Sequence, residues 1–298
     1  MRVFVTGGAG FVGSNVVAVA MARGDDVVAP LRSTLDLLDE TATHAAVEAA
    51  RPDVIVHTAI LNDFVGIYAD RHAAWASYVG ITHTLADAAN ACGAALCTIS
   101  TDWVFDGTQA GADESTPPNP INYYGVLKAA SELVTLERAC EPIVARIAGV
   151  MGTHRAGRKT PRAQDPGFGY FVTAVLDALA AGQPFTVWES NAINMVATPS
   201  LASLSSAWLL ELAERGLRGV FHCCGGQATT RTELARTAAQ VFELDESLLR
   251  VGPPGPDALP PARIPYDTSL DARGTALALG RNLPSVRELL HGLRAERA

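Results

Sequence analysis

Charge is scarce in this chain. Asp, Glu, Lys and Arg together make up 18% of its 298 residues, and 31 acids against 23 Lys and Arg leave a formal net charge of −8. A general binder of nucleic acid needs a basic face, so that class is excluded. Cysteine is sparse as well. Cys92, Cys97, Cys140, Cys223 and Cys224 form no CxxC pair, and an odd number cannot complete a disulfide framework. Reduced thiols and a cytoplasmic location are expected. No apolar run approaches the ~18 residues of a membrane span, so no membrane partner is expected. The first residues read as a strand entering a glycine turn, not as a secretory leader. The seven histidines lack HxxxH or HxH spacing, and no metal site is expected. Internal repeats and low-complexity tracts are also missing.

What the chain does have is apolar residues, 48% of the total, in a repeating order of strand and helix. Arg2–Thr6 reads as a buried strand, and Phe11–Ala22 as a helix with Val12, Val16, Val17 and Ala20 at helical spacing. The same alternation continues through strands at 26–29, 54–57, 95–100 and 143–147, and helices at 40–50, 72–91 and 125–137. Parallel strands need crossover connections, so this order predicts an α/β fold, a Rossmann-type doubly wound parallel sheet.

Beyond residue 150 the pattern loosens. Residues 153–169 read as a loop, 171–181, 201–214, 231–242 and 285–294 as helices, and 220–223 as a strand. Six prolines within 251–265 require an extended or looped path. The expected division is a dinucleotide-binding domain of residues 1–150 with about 194–224, and a smaller, irregular substrate-binding domain of about 151–193 with 225–298.

The turn Thr6-Gly7-Gly8-Ala9-Gly10-Phe11-Val12-Gly13 lies between the first strand and the first helix. Glycines there let backbone approach a pyrophosphate, and the helix N-terminus supplies amide donors. The stretch matches GxGxxG from Gly8 and GxxGxxG from Gly7, so the glycines alone leave the subclass open. An NAD site usually has an acid at the end of the second strand. Here Pro30-Leu31-Arg32-Ser33 offers none before Asp36. Arg32 and Ser33 suit a 2′-phosphate, which favours NADP(H) and leaves NAD(H) open.

Tyr124 and Lys128 stand one helical turn apart, on one face. A free tyrosine has a pKa near 10, so proton transfer at neutral pH calls for a neighbouring ammonium that stabilises the phenolate. Arg155, Arg158, Lys159 and Arg162 form a basic cluster that reads either as a diphosphate clamp or as a solvated loop.

The glycine turn, Ile99-Ser100-Thr101-Asp102-Trp103-Val104-Phe105-Asp106-Gly107 and the Tyr124–Lys128 pair together resemble the extended short-chain dehydrogenase/reductase superfamily. The likeness is greatest to the dTDP-4-dehydrorhamnose reductases and related nucleotide-sugar 4-ketoreductases. It implies a catalytic group of Thr101, Tyr124 and Lys128, in which Thr101 bonds the substrate oxygen, Tyr124 gives the proton and Lys128 tunes Tyr124. It implies cofactor contacts from Gly7, Gly10, Phe11, Val12, Gly13, Arg32, Ser33, Asp36, Leu37, Thr58, Ala59, Ile60, Ser100, Tyr124 and Lys128. Substrate contacts would come from Thr101, Asp102, Trp103 and Arg158.

The implied activity is NADP(H)-dependent reduction of the 4-keto group of a nucleotide-activated deoxysugar, by a homodimer paired through helices 72–91 and 125–137. Nucleotide-sugar epimerases and the regulatory subunit of methionine adenosyltransferase share the same motifs and stand as alternatives. Tyr78 and Ile81 depart from the family pattern, where Asn and Gly are customary. So does Ala148-Gly149-Val150, where rhamnose-pathway reductases often carry a Trp.

Overall fold

Val3, Phe4, Val5, Val54, Ile55, Val56, Leu96 and Cys97 are all buried, and strands buried on both faces form only where helices cover both sides of a sheet. The structure, a computed structural model, describes residues 1–61, 63–157, 163–255, 258–259 and 262–297. Six parallel strands form the central sheet, in the order Gly219–His222, Pro142–Ile147, Ala95–Thr101, Val54–His57, Arg2–Thr6, Asp26–Val28. Alternate residues feed separate cores. Val3, Val5, Val54, Val56, Cys97 and Ile99 pack with Val16 and Ala20 of helix Phe11–Ala22 and with Trp208 and Leu209 of helix Ala202–Glu214. Phe4, Ile55 and Leu96 point the other way, onto Val47 of helix Glu40–Ala50 and Leu85, Ala86 and Ala89 of helix Ile81–Cys92.

The chain leaves Arg2–Thr6 toward one edge of the sheet and returns to Val54–His57 on the other side of that strand. A crevice therefore opens beyond the carboxyl ends of these two strands, where ligands of open α/β sheets bind.

Several elements differ from the sequence expectation. The predicted helix 72–91 is Arg71–Trp75 and Ile81–Cys92, joined by a wide π-helical turn, Ala76–Gly80. Helix Tyr123–Arg138 starts two residues before the predicted 125 because the Asn122 carboxamide oxygen accepts from Gly125 N at 2.8 Å and caps it there. The second half contains a parallel strand pair, Phe185–Trp188 with Leu249–Gly252, that the prolines after residue 252 obscure in the sequence. It also contains a short helix, Arg273–Leu279. Its core joins Phe171, Val175 and Leu179 to Leu234, Ala238, Leu289 and Leu293.

Candidate active site

Thr6 ends the first strand and Gly7 begins the turn. Gly10 N donates to Gly7 O at 2.8 Å, and helix Phe11–Ala22 starts with no side chain capping it. A Cβ on Gly13 would overlap the Gly7 carbonyl oxygen and lie 2.6 Å from Thr58 Oγ1, so only glycine lets the helix end meet the strand here. Thr58 Oγ1 in turn donates to Thr6 O at 2.7 Å, which pins the two strand ends together. Uncapped amides facing a glycine cradle suit a pyrophosphate, and the residues present fit a dinucleotide.

The crevice holds a cavity of about 860 Å³. Gly7, Gly10, Phe11, Val12, Gly13, Arg32, Asp36, Leu37, Thr58, Ala59, Ile60, Ser100, Thr101, Asp102, Trp103, Tyr124 and Lys128 all line it. Ser33 does not. Residues 31–35 turn on hydrogen bonds from Thr34 N and Leu35 N to Leu31 O, which buries Leu35 and leaves Ser33 facing solvent. Arg32 makes no ion pair among the described residues. Arg158, with Lys159 and Arg162, lies outside the described residues. Arg155 is paired to Glu296 at 3.2 Å, a contact away from the cleft.

Gly125 directly follows Tyr124 in helix Tyr123–Arg138, which also carries Lys128. A Cβ there would overlap the Trp103 carbonyl, so its absence lets the helix start press against the turn after Thr101. The Tyr124 ring is then enclosed edge-on by Trp103 at 5.9 Å and Tyr78 at 6.2 Å, with Phe64 at 6.4 Å. Burial raises its phenol well above the ordinary value. The nearby Thr101 hydroxyl opposes the shift, and the charges of Asp102 and Asp165 add to it. The phenol therefore carries its proton.

Lys128 Nζ donates to Ile99 O at 2.9 Å and lies 5.6 Å from the centre of the Tyr78 ring. Burial lowers its pKa to about 8, against the raising influence of Glu132. The sequence reading gives Lys128 the task of lowering the Tyr124 pKa. In this structure burial dominates the Tyr124 phenol, and the Lys128 ammonium uses one of its three donors on Ile99 O and faces the Tyr78 ring. Thr101 Oγ1 donates to Asp102 Oδ1 at 3.0 Å, and Asp102 also accepts from Thr268. Burial lifts the Asp102 carboxyl to about 6, while both hydroxyls hold it down. Behind the strands, His57 is kept neutral at about 3 by burial and the Lys128 charge, and its Nδ1 pairs with Thr6 Oγ1 at 2.8 Å.

Tyr78, His154, Asp165, Phe168, Tyr170 and Asn194 also line the cavity, and the sequence reading missed them as site residues. Tyr78 carried a signal, its departure from the family's asparagine. The others lie on loops with no local motif. Arg231 gathers Asp165, Phe168 and Asn194: wholly buried, its guanidinium donates to Asn194 O at 2.8 Å, to Asp165 O at 2.8 Å and to Gly167 O, and lies 5.0 Å from the centre of the Phe168 ring.

The sequence matches the family described as "RmlD substrate binding domain" over residues 1–297. The chain belongs to that family. Within reach of this RmlD-family chain is the dTDP-4-keto-6-deoxy-D-glucose reductase of Streptomyces niveus, 31% identical over 256 residues, which cover 85% of this chain and 82% of that one. Methionine adenosyltransferase 2 subunit beta of Bos taurus is 30% identical over 301 residues, covering 95% of this chain and 84% of that one. In fold, the RmlD-family chain superposes on the crystal structure of dTDP-4-dehydrorhamnose reductase from Bacillus anthracis in complex with NADP. The TM-score is 0.84 at 21% identity, with 99% of each chain covered.

Proposed function

We propose that this protein is an NADP(H)-dependent reductase that transfers hydride to the 4-keto group of a nucleotide-activated deoxysugar. The observation that carries the proposal is the Tyr124 phenol, protonated by burial and set beside Thr101 at the end of a cavity whose other end is a glycine cradle. The identity to the Streptomyces niveus reductase supports it.

In this reading the amides of Gly10–Gly13 hold the cofactor's pyrophosphate, and Arg32 pairs with its 2′-phosphate. Asp36, Leu37, Thr58, Ala59, Ile60 and Ser100 line the rest of that half. NADPH, when bound, supplies the hydride. Tyr124 gives its hydroxyl proton to the substrate's keto oxygen as that carbon is reduced. Lys128 offsets the charge left on the phenol, since its pKa of about 8 keeps it mostly cationic at neutral pH. Thr101 exchanges Asp102 for the substrate oxygen, and Asp102 keeps Thr268 as its donor.

The proposal includes the division into a cofactor half (1–150 with about 194–224) and a substrate half (about 151–193 with 225–298). It also includes a cytoplasmic homodimer. Trp75, Val126 and Leu133, exposed apolar residues on the helices around residues 71–92 and 123–138, support pairing there. No helix among the described residues is long and apolar enough to cross a membrane.

A second reading, a subunit of a methionine adenosyltransferase, rests on the 30% identity to the Bos taurus protein. An epimerase reading is disfavoured by the lack of an acid beside Arg32. The test is NADPH oxidation against a panel of 4-keto nucleotide sugars. Turnover of one or more is expected, whereas none, together with activation of a methionine adenosyltransferase, would replace the reductase with the subunit.

A further inference from the structure

Among the charged groups of the cavity that the proposed chemistry leaves unused is the Asp165 carboxylate. Its loop is fixed from below by Arg231, which is spent on main-chain oxygens of Asp165, Gly167 and Asn194. Oδ1 of Asp165 is buried and has no hydrogen-bond partner among the described residues. A methyl group placed on Gly167 would lie 2.9 Å from Cζ2 of Trp103 and 3.3 Å from that oxygen, so indole and carboxylate flank the same short stretch of wall. Asp165 lines the same cavity as Trp103 and Tyr124, whose ring centres are 5.9 Å apart.

Its polar neighbours are occupied. Asp102 accepts from Thr101 and Thr268, and the Asn194 amide nitrogen donates to Pro265 O at 3.2 Å, Tyr266 O at 3.1 Å and Thr268 Oγ1 at 3.1 Å. Burial lifts the Asp165 carboxyl to about 6, with the Arg231 charge and the backbone amides of Gly167, Gly169 and Asp165 itself opposing, so it is mostly ionised at neutral pH while Oδ1 keeps room for a donor. An ionised carboxylate only accepts hydrogen bonds. A keto oxygen cannot satisfy it, and a phosphate or a carboxylate of the ligand is repelled. The missing partner is a donor, and on a sugar that donor is a hydroxyl.

We propose that Asp165 accepts a hydrogen bond from a ring hydroxyl of the sugar whose keto oxygen meets Tyr124, with Trp103 against the ring, so that the site selects hydroxylated sugars and turns the diphosphate away from this wall. The inference rests on the reductase reading and adds the orientation and the selected group. A buried acceptor left without its donor is costly, so a site built to bind a hydroxyl rejects the analogue that lacks it.

The experiment compares native protein, Asp165→Ala and Asp165→Asn on the best 4-keto nucleotide sugar and on analogues with each ring hydroxyl in turn replaced by hydrogen. NADPH affinity is measured alongside. Asp165→Ala should lower kcat/KM for the parent sugar by about 10- to 100-fold, the size of a hydrogen bond to a charged group. The loss should collapse on one deoxy analogue and persist on the others, with NADPH affinity unchanged. Asp165→Asn, which keeps an acceptor oxygen, should lose less. Equal losses on every sugar, or none, would overturn the inference while leaving the reductase standing. A native protein that turns over no 4-keto sugar would overturn both.

Discussion

On the side of the glycine turn, proposed to hold the cofactor, main chain forms much of the cavity wall. The turn from Gly7 to Gly13 presents amides that two adjacent strands and one helix fix in place, and Thr58 ties those strands at 2.7 Å. The opposite wall is made of side chains delivered from segments far apart in sequence, among them Trp103, Asp165, Phe168 and Asn194, and one buried cation holds much of it together. The first wall is a consequence of the parallel sheet and serves any ligand with a pyrophosphate. The second is a local construction that can change without disturbing the sheet, and in the proposed reading specificity for the substrate resides there.

If the walls are built so differently, they should break differently. Arg231→Met is expected to have the larger effect on stability. It strips three main-chain oxygens of a charged donor and leaves Asp165 without its nearby cation, a loss of about 3–5 kcal/mol. Urea unfolding measures this. The variant that remains folded should bind NADPH normally and show a raised KM for the sugar. Gly13→Ala should cost less stability, about 1–3 kcal/mol for overpacking a tight contact, because one methyl meets the Gly7 carbonyl. Its signature is the reverse, with NADPH affinity reduced by fluorescence titration and the substrate wall intact. If both variants lost cofactor and sugar affinity together, the two walls would be one cooperative unit and the contrast would fail.

The elements that build the glycine-turn wall were legible in the sequence because their determinants are local. Apolar strands, a glycine turn and a helix follow one another within residues 2–22, and Tyr124 and Lys128 share a helix face through their spacing alone. Thr101 was singled out by the resemblance that residues 99–107 carry, and it closes the buried strand Ala95–Thr101. Ser33 stands outside the cavity lining because the turn rotates successive residues to opposite sides, and the burial of Leu35 leaves Ser33 exposed.

The substrate wall was not legible, for a physical reason. Arg231 opens a helix and reads as a solvated surface cation. Only the tertiary fold carries it beneath a loop 60-odd residues earlier, where it is 0% exposed. The π-helical turn at Ala76–Gly80, which sets Tyr78 beside Lys128 and Tyr124, has no composition that separates it from the helix on either side. The strand Leu249–Gly252 is defined by its partner Phe185–Trp188, a pairing that no local propensity reveals.

The account turns on the protonated phenol at the junction of the two walls, and Tyr124→Phe tests it most directly. The change removes one hydroxyl and keeps the ring among Phe64, Tyr78 and Trp103. Steady-state NADPH oxidation on the best 4-keto nucleotide sugar should fall about 10²- to 10⁴-fold, the usual contribution of a general acid, while the NADPH dissociation constant barely moves. Turnover equal to that of the native protein would contradict the central claim.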